Sequence, residues 1–254
     1  MDRKTPDRID VLGVPVDCVD MELAMEHVAR ILEGDRPNAV IAVNPEKVIA
    51  AQSNPRLLTA LREAGLVIPD GIGIVLAARL LHRRRLRRVP GSELMPTICA
   101  YASRMNYPVF LFGASAEVNG LASKELRRRY PGIDIAGAEH GYLPNEEMPR
   151  LVERINASGA KILFLALGSP RQEDWMLEHL PALNVRLCQG VGGTFDVLSG
   201  KVNRAPPVFL KLNLEWLYRL LTNPRRLTRQ TALPRFFFQT IKGSLTGFAQ
   251  DRNR

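Results

Sequence analysis

Six short apolar runs, rich in β-branched and aromatic residues, punctuate the chain at Ala39–Val43, Leu66–Ile68, Val109–Phe112, Ile133–Ala136, Ile162–Leu167 and Val185–Leu187. Between most of them the apolar positions fall three and four apart. That spacing predicts helices over Met21–Leu32, Pro45–Gln52, Ile72–Leu81, Ser92–Arg104, Glu117–Arg129, Glu146–Ala157 and Glu173–Leu180. Several runs are apolar at every position, the pattern of a strand buried on both faces. Such strands separated by helices predict an α/β fold, a mostly parallel sheet with helices on both faces. Ligands bind such sheets where strands end and helices begin, so the loops after the runs are the places to look for chemistry. No repeat, low-complexity tract or Ser/Gly linker interrupts the pattern. Composition shifts near Asn203–Pro207, dividing a core over residues 1–203 from an appendage over 204–254.

Composition narrows the class. A chain of 254 residues with 46% hydrophobic and 24% charged positions is not disordered, collagenous or built on disulfides. Cys18, Cys99 and Cys188 are odd in number and lack metal-ligand spacing, as expected of reduced thiols in a cytosolic protein. The charged start, Met1–Arg8, lacks the apolar run of a signal peptide. The longest stretch without Lys, Arg, Asp or Glu, Met105–Ala116, falls far short of the ~20 residues of a membrane-spanning helix.

Charge is unevenly placed. Residues 201–254 carry 11 Lys and Arg against Glu215 and Asp251, which is the entire net excess of +9. A neutral body with a cationic end suits an anionic partner: a phosphorylated substrate, anionic lipid or nucleic acid. A solvated basic terminus is the plain alternative. The same segment holds an apolar helix candidate from Phe209 to Leu221, including Trp216, then Arg225, Arg226 and Arg229, then Phe236-Phe237-Phe238 and Lys242. Aromatics beside arginines fit a lipid headgroup interface, although an apolar helix face can also simply cap the core. A second basic cluster, His82–Arg88, is either a further phosphate or membrane patch or an exposed basic loop.

The loops after the runs hold the unusual residues. Asn44 precedes Pro45, which fits a first helical turn, so Asn44 either caps that helix or holds a ligand. Asp70, in Pro69-Asp70-Gly71-Ile72-Gly73, is the lone charge between Ala64 and Ala78. A carboxylate against apolar walls has its pKa raised toward working pH and suits a general base; capping the next helix is the alternative. Gly113, before Ala114-Ser115, lets a backbone approach phosphate or ribose, though the full G-x-G-x-x-G fingerprint is missing. Tyr142, after Gly141, either stacks on a base or lies on the surface. Arg171 and Gln172, within Gly168–Glu173, offer donors to phosphate or sugar oxygens. Gly192 and Gly193 permit close backbone approach, and Asp196 either accepts ribose hydroxyls or caps a helix. Together these loops suggest a nucleotide-sized site. With no D-x-D pair and no metal-like cluster, no metal and no cofactor are expected, and arginines and fixed donors must neutralise any departing diphosphate.

In order and spacing, these segments resemble the WecG/TagA/CpsF glycosyltransferases, glycosyltransferase family 26, over nearly the whole chain. The matching pieces are Val43–Glu46, Pro69–Gly73, Gly141-Tyr142, Gly168–Glu173, Gly190–Asp196 and Arg204-Ala205-Pro206, continued by Leu214–Leu220 and Pro224–Leu227. The resemblance implies a Rossmann-like core and an inverting transferase that uses a UDP-sugar. The implied acceptor is a polyprenyl-diphosphate-linked saccharide at the inner face of the cytoplasmic membrane, in surface-polysaccharide or cell-wall polymer synthesis. N-acetylmannosamine, its uronic acid and glucose occur as donors among relatives. The resemblance puts the general base on Asp70 and donor contacts on Asn44, Tyr142, Gln172 and Asp196. It assigns the appendage to membrane docking, with Arg219, Arg225, Arg226 and Arg229 over the diphosphate. One departure is Ala42, where members often carry Thr, so a hydroxyl able to contact substrate is missing.

The expected reaction is a single in-line displacement, with Asp70 taking the acceptor proton and a β-glycoside as product. Two other classes stand beside it. A nucleic-acid-binding protein accounts for the tail but leaves Asp70 and the glycine loops without purpose, so nucleic acid is not expected as a partner. A non-catalytic sugar-nucleotide-binding membrane scaffold keeps the pocket without transfer. Homo-oligomerisation is left open.

Overall fold

The computed structural model describes residues 6–203, 205–206, 208–209, 217–218 and 231–251, with side chains of the last helix described to residue 246. The chain opens with an antiparallel hairpin, β1 (Arg8–Val11) and β2 (Val14–Asp17), which the run pattern above does not predict. Its two-residue turn needs positive φ at both positions; Leu12 adopts +56° and Gly13 +91°.

A sheet of six parallel strands follows: β3 (Asn38–Val43), β4 (Leu66–Pro69), β5 (Val109–Gly113), β6 (Ile135–Glu139), β7 (Ile162–Ala166) and β8 (Leu187–Gly190), in the order β4-β3-β8-β7-β5-β6. Successive residues of each central strand bury on opposite faces: Val109, Leu111 and Phe164 on one, Phe110, Phe112, Leu163 and Leu165 on the other. That is why these runs show no polar alternation.

The helices are α1 (Met21–Glu33), α2 (Pro45–Ala51), α3 (Pro55–Glu63), α4 (Ile72–His82), α5 (Gly91–Met105), α6 (Ala116–Arg129), α7 (Met148–Ala157), α8 (Arg171–His179), α9 (Thr194–Leu198) and α10 (Ala232–Asp251). The core on one face takes α2, α3, α4, α7, α8 and the hairpin; the other takes α1, α5, α6 and α9. Asp17 fastens the hairpin to the sheet edge. Its buried carboxylate accepts two bonds from Arg8, at 2.7 and 2.9 Å, and one from the Val67 N–H of β4, at 2.7 Å.

The sixfold alternation and the seven predicted helices agree with the structure, with two strand registers displaced, while α3, α9 and α10 are not among those predicted. β6 runs to Glu139 because Gly137 makes room for the Phe110 ring; a Cβ there would lie 2.3 Å from Phe110 Cε2. β8 begins at Leu187, the first residue to pair with both β3 and β7. α10 lies along α2 and α4. The three consecutive phenylalanines part company there: Phe236 is 5% exposed in the core, while Phe238 is 70% exposed. Gln52 joins the two elements, its amide donating to Gln239 at 2.6 Å and accepting from Arg235 at 3.3 Å. The helix expected over Phe209–Leu221 falls mostly outside the described residues, as do Arg219, Arg225, Arg226 and Arg229.

Candidate active site

The sheet's topology creates a crevice at the carboxyl end of β8. β8 leads into α9 on one face, while its neighbours β3 and β7 lead into α2 and α8 on the other. Loops diverge there, the geometry that opens ligand sites in parallel sheets. A cleft of about 1360 Å³ occupies this position, bounded by the loops after β3, β4, β7 and β8, the start of α5, and α10.

Asn44 caps a helix and also faces the cleft. Its Oδ1 accepts the Lys47 N–H at 2.9 Å, capping α2, and the residue lines the cleft. Asp70 stands beside it because its N–H donates to Val43 O at 2.9 Å, extending the β3–β4 ladder by one step. The N-cap of α4 is Gly71, one residue after Asp70. Two glycines let this loop lie on the Asn44-Pro45 turn: a Cβ on Gly73 would lie 2.5 Å from Pro45 Cγ, and one on Gly71 would lie 3.0 Å from Pro45 Cδ. Gly91, at the start of α5, closes the opposite wall. A Cβ there would lie 3.2 Å from the Ala42 Cβ and 3.9 Å from Asp70 Oδ2. Ala42 thus lines the cleft next to the half-buried Asp70.

The loop after β7 is held from beneath. Lys47 (8% exposed) reaches across from α2 to Glu173 (0%), with Nζ 2.6 Å from Oε1. Gln172, 4% exposed, donates to the same oxygen at 2.9 Å and accepts the Gly192 N–H on its own Oε1 at 3.2 Å. Burial alone raises the Glu173 carboxyl, but the Lys47 ammonium, with hydrogen bonds from Lys47, Gln172 and Ser169, brings it below the ordinary glutamate range.

The cleft therefore gathers Asn44, Asp70, Gln172, Gly192 and Gly193. Four other sequence candidates are not among the residues that line the cleft. Gly113 (φ +124°) ends β5 against β7, where a Cβ would meet the Ala166 backbone at 2.5 Å, so close strand packing alone demands glycine. Tyr142 follows β6 at the sheet's far edge and is 73% exposed. Arg171 opens α8 beside Gln172 with its side chain exposed, and Asp196 sits inside α9, its Oδ2 3.6 Å from where a Cβ on the cleft residue Gly193 would lie.

The structure also brings in residues that the motifs did not single out. Arg79, Arg88 and Arg235 line the cleft, and Arg88 is the most sheltered, 3.9 Å from Glu93. Ile49, Leu57, Leu76, Leu80 and Phe236 make the part of the wall toward α10 apolar. Arg88 carried a signal, as the end of the basic cluster nearest the next helix. The Lys47–Glu173 pair, 126 residues apart, carried none. Among the described residues no three His, Cys, Asp or Glu side chains form a group able to hold a metal ion.

The chain matches known proteins. The model of the glycosyl transferase WecG/TagA/CpsF family matches residues 9–250. The chain is also similar to the N-acetylglucosaminyldiphosphoundecaprenol N-acetyl-beta-D-mannosaminyltransferase of Bacillus spizizenii (strain ATCC 23059 / NRRL B-14472 / W23). The two are 33% identical over 249 residues, covering 94% of this chain and 96% of that protein.

Proposed function

The chain belongs to the WecG/TagA/CpsF glycosyl transferase family, and we propose that it moves a sugar from a UDP-sugar to a polyprenyl-diphosphate-linked saccharide, forming a β-glycoside in cell-wall or surface-polymer synthesis. One observation carries the reading. A half-buried carboxylate, Asp70, stands beside Asn44 in a cleft of about 1360 Å³ that is polar toward β8 and apolar toward α10. That volume suits a nucleotide sugar together with an acceptor sugar, and the apolar part suits the start of a polyprenyl chain. The relative's name specifies an N-acetyl-beta-D-mannosaminyl group, which makes UDP-N-acetylmannosamine the first donor to test, ahead of its uronic acid and UDP-glucose.

In this mechanism Asp70 accepts the proton of an acceptor hydroxyl as its oxygen attacks the anomeric carbon. The bond from that carbon to the diphosphate oxygen breaks on the opposite side, so an α-linked donor yields a β product and UDP leaves with the electron pair. Guanidinium groups from Arg79 and Arg88, and from Arg219, Arg225, Arg226 and Arg229 of the appendage, balance the charge of the departing diphosphate in place of a metal. The appendage over 204–254 holds the enzyme at the inner face of the cytoplasmic membrane. Exposed Phe237, Phe238 and Leu245 of α10, a helix that packs on α4 and also carries Lys242, support this, apolar side chains beside a cation being what a headgroup interface takes. No helix among the described residues is long and apolar enough to cross a bilayer.

The test is a product assay on the full-length protein, with each UDP-sugar and a polyprenyl-diphosphate-linked N-acetylglucosamine, read by mass spectrometry. The expected result is one added sugar per UDP released. Hydrolysis alone, or no transfer from any of the three donors, overturns the reading. Flotation with anionic vesicles tests the docking face, and binding undiminished in Phe237→Ser/Phe238→Ser removes it.

A further inference from the structure

We infer that Lys47, Glu173 and Gln172 are positioning residues: a buried chain of hydrogen bonds that sets the Gly190–Thr194 turn in the shape that receives the nucleotide-sugar donor. The inference rests on the transferase reading and gives Gln172, which lines the cleft, a role through the Gly192 N–H beside the donor contact expected of it.

Three observations lead there. The first is the path of the chain. It starts on α2, immediately after Asn44, crosses to the first turn of α8, and ends on the Gly192 N–H after β8. Three of the four loops that bound the cleft are thereby tied together from below.

The second is that the Gln172 amide has one workable orientation. Its oxygen must face the Gly192 N–H and its nitrogen the Glu173 carboxylate; flipping it sets N–H against N–H and oxygen against carboxylate. Gly190 leaves the room this amide occupies, since a Cβ there would lie 2.6 Å from Gln172 Nε2. The amide is therefore fixed with its oxygen on the Gly192 turn and its nitrogen on Glu173. The carboxylate supplies the direction: a neutral amide in place of Glu173 accepts and donates equally well, and the preference for one Gln172 orientation weakens.

The third is energetic. A charged pair this deeply buried carries a desolvation penalty, and a well-packed apolar pair of similar size is commonly as stable or more so. Stability alone does not explain an ion pair here, whereas a fixed orientation for the neighbouring amide does. Gly192, at φ +51°, is the residue whose conformation the chain secures.

The experiment separates positioning from bulk stability. In Glu173→Gln and Gln172→Ala, the KM for the UDP-sugar should rise about tenfold, the loss of one well-aligned hydrogen bond, with kcat changed much less. The double variant Lys47→Met/Glu173→Leu should regain wild-type thermal stability yet keep the raised KM. Wild-type KM in Glu173→Gln, or in the double variant, overturns the proposal and leaves the pair a structural feature. Amide hydrogen exchange across residues 188–196 gives a readout that needs no activity. Gln172→Ala should speed exchange at the Gly192 amide, and unchanged exchange there overturns the proposal. A wild-type protein that neither binds UDP nor transfers sugar, but shows the exchange effect, refutes the transferase reading and keeps the positioning chain.

Discussion

Gly73→Ala and Gly120→Ala make the same chemical change in helical backbone, and the structure gives them opposite signs. Replacing a helical glycine stabilises a helix by about 0.5–1 kcal/mol through lost backbone freedom in the unfolded chain. Gly120, on the exposed face of α6, has nothing within 4 Å of its added methyl group and should show this gain. A chain of this size shifts its Tm by roughly 2–4 °C per kcal/mol, so Gly120→Ala should melt about 1–4 °C higher. At Gly73 the new carbon would lie 2.5 Å from Pro45 Cγ, where ordinary contact begins at 3.4 Å, so the two helix starts must part by about 0.9 Å. Pro45 is a rigid ring and cannot swing aside as a flexible side-chain end would. Overpacking of this kind costs about 1–3 kcal/mol and outweighs the propensity gain, leaving a net loss and a lower Tm. The parting also carries Asp70 away from Asn44, and a displacement near 1 Å can cost up to about 10²-fold in rate. Urea and thermal melts with turnover on the lipid-linked acceptor measure both effects. A Gly73→Ala enzyme that is stabilised like Gly120→Ala and fully active refutes the argument that the Asp70 loop is seated on Pro45.

Asp70→Asn should lower kcat by roughly 10²–10⁴-fold while UDP affinity by calorimetry stays near wild type, and full turnover would remove Asp70 as the base. Transfer should persist in excess EDTA; loss that Mg²⁺ restores would show that a metal, not arginines, carries the leaving group. Glu173 titrates below its ordinary 4.5 in the folded protein, so its contribution to stability is complete above that value and lost as pH falls through the lower folded pKa. The stability gap between wild type and Glu173→Gln should accordingly be flat from neutral pH to about 5 and narrow below it, and a gap that grows on acidification would contradict the ion pair. Burial pushes the thiols of Cys99 and Cys188 far above their usual range, and Cys18 is the more accessible of the three. Iodoacetamide should label Cys18 first in the native protein and all three in urea; early labelling of Cys188 would mean that the β8 strand opens.

The parallel sheet was legible because its strands are buried twice over. A run such as Ile162–Ala166 packs residues into both cores and reads as unbroken hydrophobicity, a pattern few alternatives produce. The hairpin before it gave no such signal. Its outer face is polar, it is four residues to a strand, and its turn places Leu12 at a φ that side chains avoid, so nothing in Asp10–Val14 advertises a reversal. α3 was missed despite Asn54-Pro55, the same cap and first turn that Asn44-Pro45 announced for α2. There the cap was visible but did not follow a strand, and the connection from α2 is only three residues long.

The site divides in the same way. Asp70, Asn44 and the Gly192-Gly193 turn announce themselves because strand ends in a parallel sheet are where glycines and lone polar residues have no packing excuse. Gly113 carried the same signal and has a packing reason after all, since the backbone of Ala166 occupies the space where its side chain would be. Sequence cannot distinguish a glycine that admits a ligand from one that admits a neighbouring strand. The converse holds for Lys47 and Glu173. Each reads as an ordinary solvated charge at the start of a helix, and only the fold, by placing α2 beside α8, buries them against one another. What local pattern conveys is where the chain needs freedom or polarity at the end of a strand. Which of those positions meet across the cleft is set by strand order, and the crossing from β4 to β5, which leaves β8 between β3 and β7, is written in no single segment.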